Sequence, residues 1–261
     1  MPKAYTEQHG GVAELVISAP PLNLFDNELV GDLEVAVSEI AALARAGQAR
    51  AVLLRAEGKV FCAGVDVHEF QHLSTVGGAQ LMARFLTIVQ SVEGLPVPTI
   101  AVVHALNLTI GFELSLGCDL MWAAQEASFG LVEATVGLTP GGGGTQRLVA
   151  RAGVARAAEL VMTGDIYPAA EMHQWGVVNR VLPGPDLLEA AREFAARLAV
   201  GPTSATAIGK RLLLTARDHG VAAADAITPR ETGRVFATGD LEAGVTSLLE
   251  HGPHQATFQG R

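Results

Sequence analysis

An α/β fold is predicted by three features of this 261-residue chain. Short apolar runs of β type, at 51–56 and 98–103, alternate with segments whose apolar residues recur every three or four positions. A hydrophobic content of 49% is enough for one large core and too high for a disordered chain. The spacing of the first two strands leaves room for a helix between them, as a right-handed strand–helix–strand unit requires.

The elements follow in order. Residues 11–18 alternate loosely until Ala19-Pro20-Pro21 stops them, giving a first strand whose partner is expected at 51–56. Between the two, 27–46 places Leu29, Leu33, Val37, Ile40 and Leu43 on one helical face, with Gly47 just past the end. Gly58 and then 60–66 form a turn of little side-chain bulk. A helix over 77–90 carries Leu81, Phe85, Ile88 and Val89, and Gly94-Leu95-Pro96-Val97-Pro98 separates it from the central strand. Its Met82 and Phe85 read as core. Gly111-Phe112-Glu113-Leu114 reads as a turn entering a helix, 119–125 as a turn, and 127–131 as a short strand. Pro140 opens a loop of four glycines, 141–144, leading into a helix from Thr145. Residues 155–217 are mostly helical, interrupted at Thr163-Gly164-Asp165 and at 176–181. The last part, 222–261, has an apolar face of Val235, Phe236, Val245, Leu248 and Leu249.

Charge narrows the function. A formal net charge of -9 argues against sequence-independent binding to nucleic acid or to an anionic membrane, since both need a basic surface. Two cysteines make no disulfide framework, and MPKAYTEQHGG has no apolar signal-peptide core, so a reducing cytoplasm is expected. The most apolar segment, 97–124, is interrupted by His104, Glu113 and Asp119, which favours a buried core over a membrane span.

Chemistry concentrates in that segment. Glu113 lies among Ile110, Phe112, Leu114 and Leu116, and Glu133 among Phe129, Leu131, Val132 and Val136. A desolvated carboxyl has a raised pKa and can hold or take a proton near neutrality, as general acid/base chemistry requires. Capping, or pairing with an arginine, would account for one such residue as well. Two of them, beside a strand, a tight turn and a helix N-terminus that present backbone N–H groups, point to a site for an anion or a polarised carbonyl. The glycine run has no lysine after it and does not complete G-x-G-x-x-G, so it reads as a packed turn and not as a nucleotide loop. His68-Glu69-Phe70-Gln71-His72 fits the zinc pattern H-E-x-x-H, with Glu93 downstream as a possible third ligand, but lacks the metzincin extension; a histidine-rich solvent-facing turn is the competing account.

The motif set resembles the crotonase superfamily of enoyl-CoA hydratases and isomerases. It is carried by Phe61-Cys62-Ala63-Gly64-Val65-Asp66, Glu113, Cys118-Asp119, Phe129-Gly130, Glu133 and the run from Pro140 through Gly-Thr-Gln-Arg to Leu148, with matching features to the C-terminus. The resemblance implies a crotonase-like ββα spiral core over 1–195 holding the active site. It also implies a C-terminal helical region, 196–261, that packs on the core and a neighbouring subunit in a homotrimer or dimer of trimers. The implied partner is an acyl-CoA thioester, with no separate cofactor and no metal, since coenzyme A is part of the substrate. Residue by residue, Glu113 would activate water and Glu133 would donate the α-proton. The N–H groups of Val65 and Ile110 would form an oxyanion hole, each donor typically worth ~2.7–4 kcal/mol of barrier. Ala63, Val65, Asp66, Val67, His68 and Gly111 would contact substrate, and the helix over 77–90 would cover the site. The paired carboxyls, 133 − 113 = 20 residues apart, favour hydration. An isomerase or another crotonase-type acyl-CoA enzyme, and a non-catalytic acyl-CoA-binding or scaffold member, are the alternatives. One departure is Ile110, where the family has glycine: a β-branched residue there is expected to restrict the backbone and crowd the thioester.

Overall fold

The computed structural model describes residues 2–253 and 255–260. Met1, His254 and Arg261, which fall within the two regions expected from sequence, lie outside the described residues.

The chain begins with a hairpin of β1 (Ala4–His9) and β2 (Val12–Ile17). After α1 (Asn27–Arg45), β3 (Ala51–Ala56) returns parallel to β2, with Val12 opposite Ala51, which is the pairing expected from sequence. Then come α2 (Thr75–Glu93), β4 (Thr99–Val103), β5 (Asn107–Leu108), α3 (Thr109–Leu116), β6 (Leu120–Ala124) and β7 (Ser128–Gly130). The second half runs α4 (Gly144–Ala152), α5 (Val154–Thr163), β8 (Ile166–Pro168), α6 (Ala169–Gln174), β9 (Arg180–Leu182) and α7 (Gly184–Ala199). Helices α8 (Thr203–His219), α9 (Val221–Gly233) and α10 (Gly239–His251) complete it. The six-stranded sheet has the order β1-β2-β3-β4-β6-β9, parallel from β2 onward, and β5-β7-β8 form a smaller sheet beside it.

In the main sheet, β1 and β6 differ from the sequence expectation; beside it, β5 and β8 are additional short strands, and the turn expected at 111–114 lies within α3. The hairpin strand β1 is additional; only Ala4 of its six residues is buried, so alternation is faint there. The expected turn at 119–125 is instead β6, an inner strand between β4 and β9. Its residues, LMWAA, are poor in β-branched side chains, and pairing on both edges selects the strand.

Strands β3, β4 and β6 are neighbours and parallel, so the loops leaving their C-terminal ends converge at one edge of the sheet, where open parallel sheets bind ligands. All eight residues of α3 are buried there, making it a central helix. On the sheet, Glu14 is fully buried and joins strand to helix: Arg55 Nε donates to it at 2.6 Å and Arg192 Nε of α7 at 2.7 Å. The C-terminal helices fasten to the core through Lys210, whose Nζ lies 2.9 Å from Asp119 and donates to the Val97 carbonyl at 3.1 Å. Phe236, Val245, Leu248 and Leu249 of the expected apolar face are exposed in the single chain. Among the described residues no helix is long and apolar enough to cross a membrane.

Burial works to raise the Glu14 pKa, but the bonds from Arg192 and Arg55 outweigh it and hold it below the usual 4.5. Replacing Glu14 with alanine leaves both guanidinium groups short of a partner and is expected to cost about 3 kcal/mol in urea unfolding. The wild-type advantage is present above pH 4.5 and disappears as the pH falls through the lower folded value.

Candidate active site

The loop after β3 and the loop after β4 are laced together by their backbones. Phe61 and Cys62 donate to the Leu106 carbonyl at 2.9 and 3.1 Å, and Leu108 donates to the Cys62 carbonyl at 2.9 Å. Gly111 packs on Cys62 so closely that a Cβ there would lie 2.3 Å from the Cys62 Cβ. Val65 and the first turn of α3 are thereby brought face to face. Ile110 lies in that first turn, whose N–H groups have no intrahelical acceptor. The Val65 N–H also has no protein acceptor among the described residues.

The backbone restriction expected at Ile110 falls one residue earlier. Thr109 has φ 49°, a left-handed conformation that costs a β-branched residue about 1–3 kcal/mol. Ile110 is an ordinary helical residue, and its side chain reaches toward the glycine loop, with Cδ1 2.7 Å from where a Gly142 Cβ would stand.

Glu113 is 1% exposed, and both its oxygens accept backbone bonds, from Gly142 N–H at 3.0 Å and Gly144 N–H at 2.8 Å. Burial holds its pKa above the usual 4.5, although the N–H groups of Gly144 and Gly142 and the Arg147 charge pull the other way and offset part of the rise. Glu133 stands in a 3-10 turn, Val132–Val136, and is treated differently. Its Oε2 is buried without a partner among the described residues. Burial, and then the neighbouring charge of Glu113, push its pKa up to about 7. Two carboxyls close enough to feel each other's charge are thus solvated unequally, Glu113 by two peptide N–H groups and the inner oxygen of Glu133 by none among the described residues.

They open onto a mainly apolar pocket with a cavity volume of about 120 Å³. Of the residues expected from sequence, Ala63, Val65, Val67, Ile110, Glu113 and Glu133 line it together. Asp66, His68 and Gly111 are not in its wall. Asp66 caps a short 3-10 turn by accepting from the His68 N–H at 3.0 Å, His68 is exposed, and Gly111 lies behind against Cys62. Met82 and Phe85 join the core, as read from spacing, and also line the pocket, because α2 lies over the site as expected.

Arg147 is a positioning residue that sequence reasoning left unassigned within Gly-Thr-Gln-Arg. Its Nη1 donates to the Gly143 carbonyl at 3.1 Å and its Nη2 to Glu93 at 2.6 Å, so it braces the loop whose N–H groups hold Glu113. Glu93 is also bound by Arg217 at 2.6 Å and is taken up by that pair of arginines. The H-E-x-x-H run has no α-helical register: Val67–Phe70 is a 3-10 turn, and His72 beyond it has φ 64°.

The fold and this pocket have known counterparts. The family model described as enoyl-CoA hydratase/isomerase matches residues 7–260, and the chain belongs to that family. It is 36% identical over 221 residues to the mouse enoyl-CoA hydratase domain-containing protein 2, mitochondrial, covering 84% of this chain and 74% of that one. It is 29% identical over 246 residues to the short-chain-enoyl-CoA hydratase of Clostridium acetobutylicum, covering 94% and 93%. A crystal structure of enoyl-CoA hydratase from Bacillus anthracis superposes with a TM-score of 0.92 at 29% identity, over 99% of this chain and 100% of that one. The architecture is the crotonase fold expected from sequence.

Two tests follow from the geometry. Glu133 keeps its proton in the folded protein up to about pH 7, whereas an unfolded glutamate loses it near 4.5, so this residue's contribution to stability is full below 4.5 and lost as the pH rises through 7. Glu133→Gln is therefore expected to gain roughly 3 kcal/mol over wild type between pH 4.5 and 8 in denaturant titrations. Gly111→Ala, which drives a methyl into Cys62, is expected to lose about 1–3 kcal/mol by the same measurement.

Proposed function

We propose that the chain hydrates 2-enoyl-CoA thioesters. The observation that carries this reading is the asymmetry of the carboxyl pair: Glu113 accepts two peptide N–H bonds, while Glu133 is buried with an unpartnered oxygen and a pKa of about 7. Ionised Glu113 takes a proton from water as the water oxygen bonds to C3 of the enoyl group. The double-bond electrons move toward the thioester, whose oxygen is held by the N–H groups of Val65 and Ile110. Protonated Glu133 gives its proton to C2. One molecule of water has then been added, and the pair returns to its starting state by passing the proton back from Glu113 to Glu133. Coenzyme A enters as part of the substrate. The apolar pocket wall, Val67, Phe70, Met82 and Phe85 among it, suits an acyl chain.

We further read the chain as a spiral core, 1–195, with a C-terminal helical region, 196–261, that meets neighbouring subunits in a homotrimer or dimer of trimers. Support comes from the exposed Phe236, Val245, Leu248 and Leu249. Two buried free thiols, Cys62 and Cys118, support a reducing cytoplasm.

The test is the loss of enoyl absorbance with crotonyl-CoA and with a longer 2-enoyl-CoA. Glu113→Gln and Glu133→Gln are each expected to lower kcat at least about 100-fold while remaining folded. Wild-type kcat is expected to fall as the pH rises through about 7, where Glu133 gives up the proton it must donate. A folded wild type without turnover on either substrate, or a product with a moved double bond, would sink the hydratase reading.

A further inference from the structure

We propose that the Thr109 hydroxyl is a third hydrogen-bond donor to the substrate's thioester oxygen, beside the N–H groups of Val65 and Ile110. This rests on the hydratase reading above.

Thr109 is 8% exposed, and its Oγ1 is buried without a hydrogen-bond partner among the described residues. A buried hydroxyl left unpaired is costly, and the large majority of such groups find a partner. Thr109 is one of the residues that line the pocket, and a rotation about its Cα–Cβ bond would bring the covered Oγ1 to a bound molecule that supplies the partner. Its position says which part of the molecule. Oγ1 lies 3.0 Å from where a Cβ on Gly64 would stand. Gly64 immediately precedes Val65, and Thr109 immediately precedes Ile110. The hydroxyl therefore sits where the two segments that carry the N–H groups meet. The left-handed backbone at Thr109, φ 49°, belongs to the same junction, since it turns the chain from β5 directly into α3.

An oxygen placed between those N–H groups is an acceptor and gains charge as the double-bond electrons shift toward it. A hydroxyl donor there binds the charged oxygen more strongly than the ground-state carbonyl. Its removal should therefore appear in kcat more than in KM.

Thr109→Val keeps the shape and branching of the side chain and removes the donor; Thr109→Ser keeps the donor. With crotonyl-CoA, the valine variant is expected to lower kcat by roughly 10- to 100-fold with KM changed less than about threefold, and the serine variant to stay within about threefold of wild type. An independent reading is the absorption of bound 4-(dimethylamino)cinnamoyl-CoA, which shifts to the red as its carbonyl is polarised; the shift should shrink with valine and persist with serine. Thr109→Ala removes the donor without the branched chain and gives the same reading should the valine variant not fold. Valine and alanine variants with wild-type kcat and red shift, or a serine variant as impaired as the valine one, would overturn the inference while the hydratase reading stands. A wild type that neither hydrates crotonyl-CoA nor polarises the probe overturns both.

Discussion

Keeping two carboxyl groups out of water, close enough to feel each other's charge, is the constraint on which the rest of this site depends. Both cannot be ionised there at low cost, because burial penalises each charge and each charge penalises the other. The protein resolves the conflict by unequal solvation. Glu113 receives the N–H groups of Gly142 and Gly144, and Glu133 receives none for its inner oxygen. The loop that supplies those N–H groups must then stay within hydrogen-bond distance of a fully buried helix. A Gly144 Cβ would stand 2.7 Å from the Glu113 Cγ, so the loop has no room for side chains. Arg147, itself paired with Glu93, ties the loop back through the Gly143 carbonyl.

The other half of the site follows from sheet order. Because β3 and β4 are parallel neighbours, the loops that follow them leave in the same direction and can exchange backbone bonds along 61–62 and 106–108. That lacing brings Val65 and Ile110 to the wall of one pocket, and the backbone strain beside them is at Thr109. β6, on the far side of β4, returns the chain toward β7 and the turn that carries Glu133. Three adjacent strands thus deliver three parts of one pocket, and the sheet's rigidity becomes the site's geometry.

Much of this was legible in the chain. The apolar period of α1, the β-type runs of β3 and β4, and the small residues at 63–64 are local signals, read from neighbours in sequence. What escaped notice was decided by partners distant in sequence. β6 is a strand because β4 and β9 flank it, although its own residues are weak strand formers. Asp66 and His68 sit within the matched loop, yet one caps a turn and the other points to solvent. The difficulty foreseen at Ile110 was real as chemistry and misplaced by one residue, because only the lacing of the two loops determines which backbone must turn left-handed.

By itself, the sequence determined that this would be an α/β protein with two glutamates set among apolar residues, beside a glycine loop and a turn of small residues. Side-chain type and spacing suffice for that, since they depend on near neighbours. Only the tertiary structure decided how differently the two carboxyls are solvated. That outcome depends on peptide N–H groups 29 and 31 residues beyond Glu113 arriving on its two oxygens, and on none arriving at the inner oxygen of Glu133. Backbone N–H groups are the same in every residue but proline, so no side-chain pattern records where they will point; the packing of α4 against α3 sets it.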